Sequence, residues 1–312
     1  MKYCFGVDVG GTTVKMGLFE ENGTVIDKWE IPTVTADEGK AILPDVARAI
    51  LGKIEEHKIG KTDVIGVGMG IPAPVTSEGI VNGSANLGWK YKEVKRELEE
   101  LTGFPAEIGN DANVAALGEM WKGGGAGEKN LVMVPLGTGV GGGVIIDGKI
   151  LVGANGAGGE IGHMCVNYEE TEACGCGNKG CLEEYTSATG IVRLAKRRLA
   201  QETRATMLNA DSVTAKDVFD ALKAGDEVAE DVVKEFGQYL GHALANIAVI
   251  VDPAVIVIGG GVSKAGEIMI PYIREPYMER AFFANKNVKF VLATLENDAG
   301  ICGAAKMALD KQ

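Results

Sequence analysis

Residues 160–184 hold the densest chemistry in the sequence: E-I-G-H at 160–163, C-G-C-G-N-K-G-C at 174–181 and L-E-E at 182–184. Cys174, Cys176 and Cys181 stand at Cys-x-Cys-x4-Cys spacing, and ten residues separate His163 from the first of them. Glycines at 175, 177 and 180 let so short a loop curl until three sulfurs face one point. Three thiolates and one imidazole make a closed tetrahedral zinc site, structural because four protein ligands leave no open position. The competing readings are free cysteines in a glycine-rich loop and an iron–sulfur centre, where His is an uncommon ligand. Glu160 lies three residues before His163, and Glu183 two after Cys181. A metal clamp here fixes both carboxylates relative to each other, which suits a polar substrate held through its hydroxyls.

Three glycine turns form the second source of chemistry. After the strand-like Y-C-F-G-V-D (3–8), Gly10-Gly11 joins two strands, so it is not a P-loop, which opens a helix and ends G-K-[ST]. Exposed N–H groups of Gly10 and Gly11 and the hydroxyls of Thr12 and Thr13 form an anion-binding concavity, and Asp8 could orient Mg2+ through water. A plain Gly-Gly hairpin is the alternative. The pattern returns at 131–153, where Gly137-Thr138-Gly139 answers Gly11-Thr12-Thr13 and Asp147-Gly148 answers Asn22-Gly23. Such a repeat implies two similar halves able to grip one polyphosphate from both sides. A third turn, Gly259-Gly260-Gly261, follows the buried-looking A-V-I-V-I-G and allows a flat ring or ribose against bare backbone.

These residues need a framework of alternating strands and helices. Strands are expected at 3–8, 14–20 and 24–31, with Asn22-Gly23 as a hairpin turn. A helix over 36–58, kinked at Pro44, precedes a buried strand at 64–71 and an irregular loop at 75–90. A charged helix over 91–102, a short strand from 106 and a helix from Asp111 to about Trp121 follow. The G-G-G-A-G run at 123–127 is a candidate domain boundary. Beyond the metal loop, helices are expected at 187–203, 214–224 and 226–251, then strand 254–259, a helix after the third glycine turn, strand 288–293 and a small-residue helix at 299–309 that packs back on the first domain. His242 reads as a packing or surface residue, and His57 as a helix-end residue complementing the dipole. The overall pattern is α/β.

Composition narrows the classes. Glycine is 45 of 312 residues, about twice the usual ~7%, and it clusters in short runs, so it is positional. The net charge of −12, with no long basic run, argues against nucleic acid and anionic membrane as partners. Six cysteines without a disulfide-like framework fit a reducing compartment. With no leader-like or membrane-spanning stretch, a cytoplasmic location is expected.

Together, D-V-G-G-T (8–12), G-N-D-A-N (109–113), L-G-T-G-V-G-G-G (136–143), G-G-E-I-G-H (158–163), C-G-C-G-N-K-G-C-L-E (174–183) and I-G-G-G-V (258–262) resemble the ROK family of repressors, open reading frames and sugar kinases. The resemblance runs from about residue 3 to residue 309. It implies the two-lobed, duplicated ribonuclease-H-like fold of sugar kinases, actin and Hsp70, with ATP and Mg2+ in a cleft between lobes and a homodimer or larger homo-oligomer. The small lobe would comprise residues 1–118 plus 300–312 and the large lobe 119–299. By motif, Asp111 is the general base for a sugar 6-hydroxyl, and Asn110, Asp111, Glu160, His163 and Glu183 contact the sugar, with Asn86 a further contact. His163, Cys174, Cys176 and Cys181 hold Zn2+. Asp111 can also be read as a helix N-cap, a role open to Asn110 as well. The implied activity is ATP-dependent phosphorylation of glucose, with N-acetylmannosamine, N-acetylglucosamine or another hexose as the alternative. A sugar-responsive repressor is disfavoured by the acidic charge and by the first strand starting close to Met1, where such members carry a DNA-binding segment. A non-catalytic sugar-binding module is disfavoured by intact Asp8, Asp111 and both glycine turns.

Overall fold

The computed structural model describes residues 1–311. In chain order the elements are β1 (Tyr3–Val9), β2 (Thr13–Glu20), β3 (Val25–Pro32), α1 (Ala36–Gly39), α2 (Ile42–Glu56), β4 (Val64–Ile71), β5 (Ile80–Val81), β6 (Lys92–Glu93), α3 (Val94–Thr102), β7 (Ala106–Asn110) and α4 (Asp111–Lys122). They continue with β8 (Leu131–Pro135), β9 (Gly143–Ile146), β10 (Lys149–Ile150), α5 (Glu183–Thr186), α6 (Ala188–Leu199), α7 (Ala215–Lys223), α8 (Glu227–Val251), β11 (Val255–Gly259), α9 (Met269–Arg280), β12 (Lys289–Leu292) and α10 (Ala299–Asp310).

The first sheet runs β3-β2-β1-β4-β7 and the second β10-β9-β8-β11-β12. In the first, β2 and β3 are antiparallel while β1, β4 and β7 are parallel. In the second, β9 and β10 are antiparallel while β8, β11 and β12 are parallel. The shared order is the duplication announced by the paired glycine turns. Its second hairpin closes on Asp147 and Gly148, with φ of 51° and 77°, the doubly left-handed geometry that Asp-Gly adopts at little cost.

The chain forms two compact units. The first comprises Met1–Lys129, Gly143–Gly159 and the residues from Thr294 onward. Its core joins Phe5, Val7, Met16, Val67, Met69 and Ile71 from the sheet to Leu43, Val46 and Ile50 of α2. On the other face, α10 lies against β1, β4 and α4 at backbone distance. A Cβ on Gly6, Gly68 or Gly303 would collide with the carbonyl oxygens of Ile301, Ala304 or Val114. This is the return of the last helix onto the first domain. The second unit comprises Asn130–Gly142 and Glu160–Ala293. There α8 buries Val228, Val232, Phe236, Leu240, Leu244 and Ile247 along one stripe, the spacing expected of a helix with a single apolar face.

Two expectations are corrected. The helix expected over 36–58 begins only at Ile42, because Asp37 and Glu38 have φ of 51° and 58°. Pro44 therefore falls in the first turn, where no N–H partner is needed, and causes no kink. After the third glycine turn the chain forms a 3-10 segment, Gly261–Ala265, and α9 starts only at Met269. Gly266, at φ 88°, interrupts what reads as one helix. His57 caps α2 and pairs with Asp27 at 3.1 Å. His242 lies on α8, 4.0 Å from Glu279.

Candidate active site

In the first unit the chemistry gathers at the carboxyl ends of the parallel strands, where α/β sheets commonly bind ligands. Register puts Asp8 beside Gly70, and Ile71 beside Asn110. Asp8 also stands opposite Lys15 across the hairpin. Burial first, then the nearby Asp111 carboxylate, pushes Asp8 up to about 6, against the pull of Lys15. The carboxyl group of Asp8 occupies the space a side chain on Gly300 would need, so only glycine fits at that point of α10. The first glycine turn is tight: Gly10 N donates to Thr13 O at 3.0 Å, and Thr33 Oγ1 to Gly10 O at 2.7 Å. Gly11 and Thr12 are left exposed.

The capping question resolves in favour of Asn110. Its side chain accepts from Asn113 N at 3.1 Å and donates to Ala73 O at 3.3 Å. Asp111 is thus the first helical residue, its Oδ1 accepting from Ala112 N at 2.8 Å. A carboxylate in that position is favoured by the helix dipole. Asn86 lies exposed in a 3-10 turn, Ala85–Leu87.

In the second unit, one potential ligand atom from each of His163, Cys174, Cys176 and Cys181 lies within 4.8 Å of all the others. Cys176 Sγ and Cys181 Sγ are 3.6 Å apart. Two sulfurs bound at ~2.3 Å to one tetrahedral ion would be about 3.8 Å apart, so donor set and spacing both fit zinc. Gly177 and Gly180, at φ of 90° and 69°, turn the loop back, and Gly177 N donates to Cys174 O at 2.8 Å. Burial pushes the Cys174 and Cys181 thiols up, whereas the Asn178 backbone N–H pulls Cys176 down. Ionising all three needs a cation. Glu183 Oε1 is 2.8 Å from Cys174 Sγ and 3.6 Å from His163 Nδ1. Glu160 is exposed just before the 3-10 turn that carries His163.

The same unit ties this loop to the other two glycine turns. Glu183 Oε2 lies 2.8 Å from where a Cβ on Gly139 would stand. Ala188 N donates to Gly137 O, and Thr189 Oγ1 to Thr138 O, both at 2.8 Å. Leu136 N donates to Gly259 O at 2.9 Å and Val262 N to Leu136 O at 3.0 Å. Gly260, at φ 80°, packs onto the backbone of Leu136. Beside Gly261 and Val262 opens a cavity of about 510 Å³, walled also by Ala188, Thr214, Phe219 and Lys264.

Sequence reasoning missed Ala188, Thr189 and the α7 wall with Phe219. The one signal for the first pair was Ser187, which caps α6 by accepting from Gly190 N at 2.9 Å. It also missed the buried Glu170. Among the described residues no helix is long and apolar enough to cross a membrane.

Comparison with known proteins adds four similarities. The ROK family matches residues 4–311. A glucokinase of Halalkalibacterium halodurans is 44% identical over 308 residues, 97% of this chain and 93% of that protein. The structure of a ROK hexokinase from Thermus thermophilus matches with a TM-score of 0.82 at 30% identity, covering 99% of this chain and 100% of that one. That of a ROK family glucokinase from Streptomyces griseus, in complex with glucose and AMPPNP, matches with a TM-score of 0.75 at 33% identity, covering 99% of each.

Proposed function

Because the chain belongs to the ROK family, we propose that it is an ATP-dependent hexose kinase that phosphorylates the 6-hydroxyl of glucose. The observation that carries this reading is Asp111 at the first position of α4, capped by Asn110 and electrostatically coupled to Asp8, at the carboxyl edge of parallel strands. The glucokinase relative and the glucose- and AMPPNP-bound neighbour favour glucose and ATP over other pairs.

In this mechanism the sugar's hydroxyls are held by Asn110, Glu160, His163 and Glu183. The 6-hydroxyl oxygen attacks the terminal phosphorus of ATP, its proton passes to the Asp111 carboxylate, and ADP leaves. Phosphoryl transfer rests mainly on positioning and charge neutralisation, and such a base typically contributes about 10²–10⁴-fold in rate. The phosphates are cradled by Gly10, Gly11, Thr12 and Thr13 and by Gly137, Thr138 and Gly139. Adenosine lies against Gly259, Gly260 and Gly261, using the cavity beside Val262 and Phe219. Asp8 would hold Mg2+ through water, and the ion would supply charge neutralisation on the phosphates. His163, Cys174, Cys176 and Cys181 would hold Zn2+, which would supply rigidity, since four protein ligands leave it no catalytic position. A homo-oligomer is the expected state.

The decisive variant is Asp111→Asn, which keeps shape and removes the base. Glucose binding by calorimetry should stay within a few-fold, while kcat in a coupled ADP-release assay falls by at least about 10²-fold. Unchanged turnover would refute the assignment.

A further inference from the structure

The metal loop has a second fastening that involves none of its ligands. Glu170, on the outbound arm, is buried. Its Oε2 accepts from Tyr185 Oη at 2.6 Å, from Arg193 at 2.8 Å and from Arg197 at 3.2 Å. Its Oε1 accepts from the backbone N–H groups of Thr171 and Glu172 at 2.9 and 3.0 Å. Arg193 also bonds Glu172 at 2.7 Å, approaches Glu184 at 3.6 Å and lies over the Tyr185 ring. Tyr185 stacks on Tyr239 of α8, ring centroids 4.1 Å apart, and accepts from Asn167 Nδ2 at 3.0 Å. Tyr185 stands two residues after Glu183, and Val166 N donates to Gly180 O at 2.8 Å beside Cys181. The network therefore joins both arms of the loop at its base, one arm leading to Cys174 and the other leaving Cys181.

We propose that Glu170, with Tyr185 and Arg193, is a positioning group that preorganises the metal loop, raising its affinity for zinc and fixing Glu183 and His163 for the sugar. The physical reason is loop closure. Ligands separated along a flexible segment must be gathered when the ion binds, and a clamp already closed at the base removes part of that ordering cost. Supporting hydrogen bonds around metal sites commonly change affinity by about 10–100-fold when removed. The sugar arm rests on the function proposed above; the zinc arm does not.

The test compares Glu170→Gln, Arg193→Lys and the wild type, all metal-loaded. Zinc affinity is read by competition with a chromophoric chelator, and KM is measured separately for glucose and ATP. The expected result for Glu170→Gln is zinc affinity weakened about tenfold or more, a raised glucose KM and an ATP KM within about twofold of wild type. Saturating free zinc should bring the glucose KM back toward wild type. Arg193→Lys, which keeps the charge but loses the fork, should show a smaller change of the same kind. Unchanged zinc affinity, or both KM values rising together, would overturn the proposal. If zinc affinity falls but the wild type phosphorylates no sugar, the clamp stands and the kinase reading fails.

Discussion

Asp8 and Asp111 show how one residue can be set against stability for the sake of a site. Asp8 ionises near pH 6 in the fold against an ordinary value of 3.8, so the folded state holds its proton more tightly. Its destabilising effect is absent below the unfolded value, grows as pH rises between the two, and is complete above 6. Asp8→Asn should therefore be as stable as wild type near pH 4 and more stable at pH 7.5 in magnesium-free buffer, by about 3 kcal/mol at most. Urea unfolding at both pH values checks it, and a less stable variant at pH 7.5 would contradict it. Glu170 is the opposite case. The Tyr185 hydroxyl, with Arg197 and Arg193, holds its carboxyl well below the usual range. Its contribution is present above the unfolded carboxylate value and is lost as pH falls through the folded one. Wild type should lose stability below pH ~4 more steeply than Glu170→Gln, and parallel acid-unfolding curves would argue against it.

Elements decide what the residues can do. If the loop binds zinc on His163, Cys174, Cys176 and Cys181 as proposed, removing the ion would free His163 and Glu183, while the turn at Gly259–Gly261, bonded to Leu136, would keep its own support. Chelated protein should lose glucose affinity and retain most of its ATP affinity; equal loss of both by calorimetry would contradict a local role. The contact of α10 with β1, β4 and α4 depends on glycine in a different way. An added methyl at Gly68 or Gly303 meets backbone that cannot move aside, so Gly68→Ala and Gly303→Ala should each cost about 2–3 kcal/mol or more. Gly52, exposed in α2 with nothing near its Cβ position, is the control: Gly52→Ala should stabilise by about 0.5–1 kcal/mol. Destabilisation at Gly52, or none at Gly68 and Gly303, would count against this packing. Glu119 is fully buried and accepts from the backbone N–H groups of Gly124, Thr294 and Leu295. It ties the segment that follows α4 to the one that follows β12, so Glu119→Ala should be among the most damaging single changes.

At the scale of the whole molecule, the strands and their repeat were legible because hairpin turns and glycine turns are local signals, written within a few neighbouring residues. The paired turns at Asn22-Gly23 and Asp147-Gly148 disclosed the repeat before any packing was known. The cluster of His163, Cys174, Cys176 and Cys181 was legible for the same reason. What escaped notice depends on contacts between distant segments. Nothing near Glu170 announces that Arg193 and Arg197 will reach it, and nothing in A-T-G-I (188–191) marks Ala188 and Thr189 as partners of the turn at Gly137. The broken helix at 36–41 was missed because Asp37 and Glu38 take a left-handed backbone that their residue types rarely adopt; Gly39, at φ 65°, is the local signal that marked it. Which hexose fits is likewise a property of the assembled site, where hydroxyl contacts discriminate by leaving buried polar groups unpaired when the wrong sugar enters. The most direct measurement is kcat/KM with ATP across glucose, mannose, N-acetylglucosamine and N-acetylmannosamine. Glucose should be the best substrate by at least about tenfold, a difference that a single mismatched polar contact can supply. An N-acetylated sugar turning over more efficiently than glucose would contradict it.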